Sequence, residues 1–288
     1  MMSTFQVKIR QRGFTLIEMI VVITITAIIS AVVAVFLRAP IQGYFNASRR
    51  ADLTDTADSA VRRISRDLHL ALPNSVRVSS SGNPAIEFLQ TRTGGRYRSA
   101  TGTSTADNIL DFSDPSDSSF ELLGPALDLK SGDQIVVYNL GIPGADAYLG
   151  DNIRALAAGG VGTTNTVQFV PVAGLPYSFP FDSPNHSFQI VDTPVSYVCD
   201  LAVAHTLSRY WGYNIQATAL VWPSPGAVGA GLQSAILAKN VTNCVFNYDS
   251  STAGGALARN GLVSIRITVG DASENVTLYS EVHVSNVP

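Results

Sequence analysis

Charge is scarce in this sequence. Acidic and basic residues together make up 14% of its 288 positions, and the formal net charge is −3. Nucleic-acid recognition usually rests on a basic patch. No such footprint is present, so no nucleic-acid partner is expected. Cysteine is nearly absent, with Cys199 and Cys244 the sole pair. Two thiolates do not complete a four-ligand zinc site, and His69, His186, His205 and His283 show no metal-ligand spacing. Gly159-Gly160-Val161-Gly162 lacks the Lys-Ser/Thr that follows in a phosphate-binding loop, and reads as a flexible turn. Asp111-Phe112-Ser113-Asp114-Pro115-Ser116-Asp117 places carboxylates at every third residue, a pattern open to Ca²⁺. It lacks the glycine and terminal glutamate of an EF-hand loop, which favours a solvated loop. Neither a carboxylate pair nor a Ser–His–Asp set announces a hydrolase, although such groups meet only in the fold. No internal repeat is present. The expectation is a chain without cofactor or metal and without enzymatic activity.

One stretch stands against this background. Lys8, Arg10 and Arg12 form a short basic leader that ends in Gly13, and after Phe14 the only charge before Arg38 is Glu18. Phe14 to Leu37 is 24 residues. As a helix that is roughly 36 Å at ~1.5 Å per residue, enough to cross a hydrocarbon core of about 30 Å. Basic residues ahead of the span put the N-terminus in the cytoplasm and the rest of the chain outside. A secretory signal has its cleavage site after the apolar region. Here Gly13 lies before it, so cutting after Gly13 would remove the leader and leave the apolar helix on the product.

A carboxylate inside a spanning segment costs a few kcal/mol and is by default a functional candidate. With Phe14 as the new N-terminus, its α-amino group would lie one turn from Glu18, at the i,i+4 spacing of a shared helix face. Glu18 in the first turn also suits the helix dipole. In a filament it would instead neutralise the amine of a neighbouring subunit. The bland alternative is a plain signal anchor whose Glu18 rests near the headgroups.

Gly13-Phe14-Thr15-Leu16-Ile17-Glu18 resembles the type III signal of bacterial type IV pilins and type II secretion pseudopilins. The resemblance implies cleavage after Gly13 by a prepilin peptidase, N-methylation of Phe14 by its methylase activity, and an assembly role for Glu18. It also implies an α+β, pilin-like fold: a long N-terminal helix packed on a largely antiparallel β-sheet domain. The boundaries expected are a cleaved leader at 1–13, a membrane and filament-core helix at 14–40, an amphipathic second half at 41–72, and a β-rich periplasmic or extracellular domain at 73–288.

Beyond the span, Pro40 is expected to kink or interrupt the helix. Apolar or small residues then recur at Tyr44, Ala47, Ala51, Ala57, Val61, Ile64, Leu68 and Leu72, mostly three or four apart. The opposite face carries Arg49, Arg50, Asp52, Asp55, Asp58, Arg62, Arg63, Arg66 and Asp67, read as solvated. Asp58–Arg62 and Arg63–Asp67 fall at i,i+4, and Leu72-Pro73-Asn74 ends the helix.

From Val76 the pattern shifts to short β-like runs. Ile86–Gln90 and Arg96–Ser99 around Gly94-Gly95 read as a hairpin. Further strands are expected at Gln134–Asn139, Val167–Val172, Phe188–Val191, Val195–Cys199, Arg209–Ala217 and Ala219–Trp222. Leu262–Val269 and Val276–Val284 alternate in steps of two, a hairpin with one buried side. Thr101–Ser119, Gly141–Thr166 and Pro223–Gly231 read as connections. Tyr210-Trp211-Gly212-Tyr213 reads as packing, with a sugar or partner contact as the alternative. In an oxidising periplasm Cys199 and Cys244 pair as a disulfide in preference to two thiols.

Scattered segments narrow the resemblance. Leu70–Val78, Gly94–Arg98, Asp192–Cys199 and Val282–Pro288 resemble the MshO family of minor pilins of mannose-sensitive haemagglutinin (MSHA) pili. That resemblance implies a low-abundance subunit that primes filament assembly at or near the tip. Its partners would be other minor and major pilins, the prepilin peptidase, an inner-membrane assembly platform and the inner membrane itself. A minor pseudopilin of type II secretion, closest to the J subunit, and a membrane-anchored tip adhesin are the alternatives.

Overall fold

The structure, a computed structural model, describes residues 13–79, 82–102, 107–218, 231–249, 260–270 and 274–288. The basic leader residues, the expected strand Ala219–Trp222 and nearly all of the connection Pro223–Gly231 lie outside these. The chain divides into two compact units, the first ending at Asp52 and the second running from Leu53 to Pro288.

Helix α1 runs without interruption over Leu16–Leu68. Its first half is rich in β-branched residues, with Ile20-Val21-Val22-Ile23-Thr24-Ile25-Thr26 in one run. Such residues are mediocre helix formers in water. In hydrocarbon, however, every backbone polar group must be satisfied within the segment, and a helix does that. The expected interruption at Pro40 does not occur, since Pro40 lies inside α1. Proline removes one hydrogen bond, at a cost of about 3 kcal/mol, and the bonds of the adjoining turns carry the helix through. The helix stops at Leu68, short of the expected Leu72. Leu70 N–H bonds back to the Asp67 carbonyl (3.1 Å), and Leu72 N–H already donates to the Leu89 carbonyl at 2.7 Å. The chain is thus captured by a strand before proline could end the helix.

Among the described residues the second unit holds fourteen strands. The largest sheet contains β1 (Arg77–Ser79), β2 (Ala85–Arg96), β9 (Ser187–Asp200), β10 (Thr206–Trp211) and β11 (Gln233–Lys239) in that spatial order. β5 (Gln134–Val137) also pairs with β9, and β6 (Ile153–Ala155) pairs with β5. A second sheet is β12 (Val241–Asp249), β13 (Asn260–Gly270) and β14 (Asn275–Ser285). Two small ribbons pair β3 (Ser119–Glu121) with β8 (Thr166–Gln168), and β4 (Leu127–Leu129) with β7 (Gly162–Thr164). All pairings are antiparallel. The architecture is the α+β arrangement expected, a long N-terminal helix with antiparallel sheets.

The C-terminal hairpin follows its alternation. Val276, Val282 and Val284 are buried while Thr277, Tyr279, Glu281 and His283 are exposed. Gly94-Gly95 is not a turn. Both residues lie inside β2, opposite Gln189 and Phe188 of β9. A Cβ on Gly94 would come within 2.6 Å of the Phe188 carbonyl oxygen, so glycine is there for close strand approach. The two expected strands at Phe188–Val191 and Val195–Cys199 are one strand, β9. Pro194 is accommodated because β5 covers β9 up to Val191 and β10 only from Ser196. Its missing N–H needs no partner in that gap. Gly141–Thr166 is likewise more than a connection, since it holds β6, β7 and a 3₁₀ turn at Ala158–Gly160. Gly159 to Gly162 is therefore structured, not a flexible turn. In place of the expected strands at Arg209–Ala217 and Val167–Val172, β10 starts earlier and ends at Trp211, and β8 starts at Thr166 and ends at Gln168.

The main core lies between the end of α1 and the two larger sheets. Ala57, Ala60, Val61, Ile64 and Leu68 enter it from the helix, each nearly fully buried. Burying Val, Ile and Leu contributes about 1.5–3 kcal/mol apiece. Tyr44, Ala47 and Ala51, on the same expected stripe, are exposed. A separate aromatic core, including Tyr97, Phe120, Phe169, Phe179 and Phe188, fills the region of the ribbons.

Candidate functional site

Thr15 is the residue before the first helical position, and Glu18 is the third residue of the helix. The Glu18 N–H donates to Thr15 Oγ1 (3.3 Å), and the Thr15 N–H donates to Glu18 Oε2 (3.4 Å). This reciprocal pair is a capping box, which satisfies two of the amide groups a helix start leaves orphaned. Its signal stands in the sequence as Thr-x-x-Glu ahead of an apolar run. In the uncleaved chain the carboxylate of Glu18 therefore turns to its own helix end. Gly13 is unencumbered: a Cβ added there meets nothing within 4 Å. The fold of this chain does not demand glycine at that position.

Around and beyond the cap, every large apolar side chain from Phe14 to Phe45 is exposed. The helix is long and apolar enough to cross a membrane, and its most apolar window, of mean hydropathy 3.0, has none of its residues buried. The two threonines inside it are self-satisfied. Thr24 Oγ1 donates to the Ile20 and Val21 carbonyls, and Thr26 Oγ1 to those of Val22 and Ile23, at 2.8–3.0 Å. Neither hydroxyl brings an unmet hydrogen bond into hydrocarbon.

The second unit is locked by polar contacts that sequence spacing conceals. Asp67, expected on the solvated face, is only 4% exposed. Its Oδ2 accepts from Arg209 Nε (2.9 Å) and from the Tyr197 hydroxyl (2.7 Å), while Arg63 pairs with Oδ1 at 3.2 Å. Burial, then the bond to Asp67, pushes the Tyr197 phenol well above its usual range. A second network joins Arg77 to Glu87 (2.5 Å), with Ser196 bonded to both Glu87 and Tyr213. Cys199 on β9 and Cys244 on β12 form a disulfide, Cα atoms 6.3 Å apart, which ties the two larger sheets together. Asp58–Arg62 forms as expected at 2.5 Å and is exposed.

The weaker candidates resolve locally. Asp111 and Asp114 each accept from a serine two residues on, at 2.6–2.8 Å, and Asp117 accepts from the Asp111 N–H. These carboxylates brace their own loop. Of the aromatic cluster, Tyr213 is buried and Trp211 packs partly on the main core. Among the described residues no group of three or more His, Cys, Asp or Glu is placed to hold a metal.

The family described as the prokaryotic N-terminal methylation motif matches residues 8–34. That range covers the end of the leader, Gly13, Phe14, the capping box and most of the apolar run. It supports a type IV pilin-like protein, a class processed by a prepilin peptidase and assembled with other pilins. The apolar helix is consistent with anchoring in the inner membrane. No curated protein and no solved structure matches the chain.

Proposed function

We propose that this chain is a minor pilin that primes assembly of an MSHA-like, MshO-type pilus and is incorporated at or near its tip. The observation that carries the reading is the exposed apolar surface from Phe14 to Leu37, capped by Thr15 and Glu18 and joined to a large β unit. An exposed apolar surface of that length calls for cover. The membrane covers it before assembly, and neighbouring helices cover it in a filament. Cleavage after Gly13 would release an α-amino group at Phe14. Glu18 then has two cationic partners within its chemistry, the amine of its own chain and that of a neighbour, and pairing with a neighbour sets axial register. The type II pseudopilin reading shares this machinery, and the MSHA-like segments favour the pilus.

The test is the intact mass of the protein from sheared surface filaments and, separately, from membranes. A filament species that begins at Phe14, one methylene heavier and two hydrogens lighter, is expected. It reports processing, N-methylation and the disulfide together. A full-length or conventionally cleaved species found in membranes alone would sink the proposal and restore the anchored binding module.

A further inference from the structure

Helix α1 ends at Leu68, but the strands beneath it continue. On β10, Leu207 faces the main core, and Arg209 and Trp211 follow on the same face at steps of two. On β9, Val195, Tyr197 and Cys199 face the same core, and Thr193 precedes them in phase. Past the helix end Arg209, Trp211, Thr193 and Val195, with Gln90, Thr91 and Arg92 of β2 and with Asp192 and Leu70, line a cleft of about 320 Å³. That volume is at the lower end of the range for small-molecule sites.

The cleft has its charges arranged in pairs. Arg209 is held by Asp67 and by Gln90 Oε1 (3.2 Å). Arg92 forks onto Asp133 through Nε (3.0 Å) and Nη2, and reaches the Asp128 carbonyl at 3.0 Å. With these cations spent on buried carboxylates, no net positive field remains to draw an anion. Several groups nevertheless have capacity left. The Trp211 indole N–H, the Gln90 amide N–H groups, the Thr91 hydroxyl and the Asp192 carboxylate have no hydrogen-bond partner among the described residues. The indole itself is held by the Arg209 guanidinium, 4.8 Å from its centroid. Donors and an acceptor within one cleft, beside an immobilised aromatic, suit a ligand whose hydroxyls both donate and accept and whose C–H face is apolar.

We propose that this cleft binds a neutral saccharide unit. Asp192 accepts from sugar hydroxyls, Gln90 and Thr91 bond others, and Trp211 offers its indole to the ring. A uronic acid would set a carboxylate against Asp192 and is disfavoured. The site needs only the folded β unit, so its failure leaves the assembly role standing, and the reverse holds too.

The experiment uses the full chain in a detergent without sugar headgroups. Saturation-transfer NMR and calorimetry are run with lactose, maltotriose, cellotriose, chitotriose and trigalacturonate. At least one neutral saccharide is expected to bind with a Kd in the millimolar range or tighter, and trigalacturonate at least about tenfold more weakly. Asp192→Asn should weaken the neutral ligand by roughly tenfold or more, the loss expected for a hydrogen bond to a charged group. Because Asp192 makes no hydrogen bond among the described residues, and its attraction to Arg92 and Lys130 is opposed by Asp133, its thermal transition should move little, and Trp211→Ala should abolish binding. Three results would overturn the proposal: no neutral saccharide bound, trigalacturonate bound as well as the best of them, or affinity unmoved by Asp192→Asn in a folded protein.

Discussion

At the scale of single residues, Asp67 shows how far environment outweighs position. It lies in the last turn of a helix, where the dipole disfavours an anion. Yet it is buried, and three partners hold it, one each from α1, β9 and β10. Breaking such a pair leaves the other charge stranded, at a cost of about 3–5 kcal/mol. Asp67→Asn is therefore expected to lower the urea midpoint of the detergent-solubilised chain strongly. Asp58→Asn, which breaks an exposed, solvent-screened pair on the same helix, should leave the midpoint almost unmoved. Equal effects from the two variants would refute the network's role. The phenols supply a second residue-scale prediction. Burial is the leading cause that raises Tyr97, Tyr197 and Tyr213 above the ordinary tyrosine range. A raised native pKa means the unfolded chain gives up its protons first. The stabilisation is complete below the unfolded value near pH 10 and is lost as pH rises from there through the higher native values. Denaturant midpoints should fall steadily above about pH 10, with tyrosinate absorbance appearing alongside unfolding. Tyr197→Phe should flatten that fall; an unchanged slope would contradict the assignment.

Elements set the next level, and here backbone proximity governs. Gly94→Ala would place a methyl group against the Phe188 carbonyl, which cannot swing away as a flexible side chain could. A loss of about 1–3 kcal/mol is expected, whereas Gly132→Ala would report only the strain of its positive φ, in open space. The disulfide closes a separation of 45 residues between two sheets. On the chain-entropy account that constraint is worth up to about 4 kcal/mol, and the Cys199→Ala/Cys244→Ala double variant should lose up to that much in a reversible denaturant titration. These elements also mark what the sequence made legible. The apolar span, the amphipathic continuation, the last hairpin and the cysteine pair follow from local periodicity and compartment, and they were readable. Gly94-Gly95 looked like a turn because glycine has one letter for two uses, tight turns and close approach. β9 reads as two strands because a proline in a central strand is tolerated where pairing along one edge has a gap, and that gap is a property of the sheet. Asp67 and Arg209, 142 residues apart, meet through topology alone. The capping box was legible, and the cleft past the helix end was not, because it depends on where α1 stops relative to three strands.

For the whole molecule, the governing fact is an apolar helix surface that no described residue buries, with a carboxylate in its first turn. In the uncleaved chain Glu18 caps its own helix through Thr15. In the proposed filament it neutralises an amine. The two roles make different demands: a cap needs an acceptor oxygen, and Gln serves in a capping box as Glu does, but pairing with an ammonium needs charge. Glu18→Gln should therefore keep the helix start intact and processing after Gly13 normal, as should Glu18→Ala apart from a helix end weakened by up to about 1 kcal/mol. Incorporation into sheared filaments separates the readings. If register is set by charge, Gln and Ala fail alike, and both variants accumulate in the membrane as processed protein. If the carboxylate serves only as a cap, Gln assembles normally and Ala is partly impaired. Thr15→Ala completes the argument, since it removes half of the cap and leaves the charge: filament levels close to the parent's are expected, and a defect as deep as that of Glu18→Gln would move the assembly role from the ion pair to the cap.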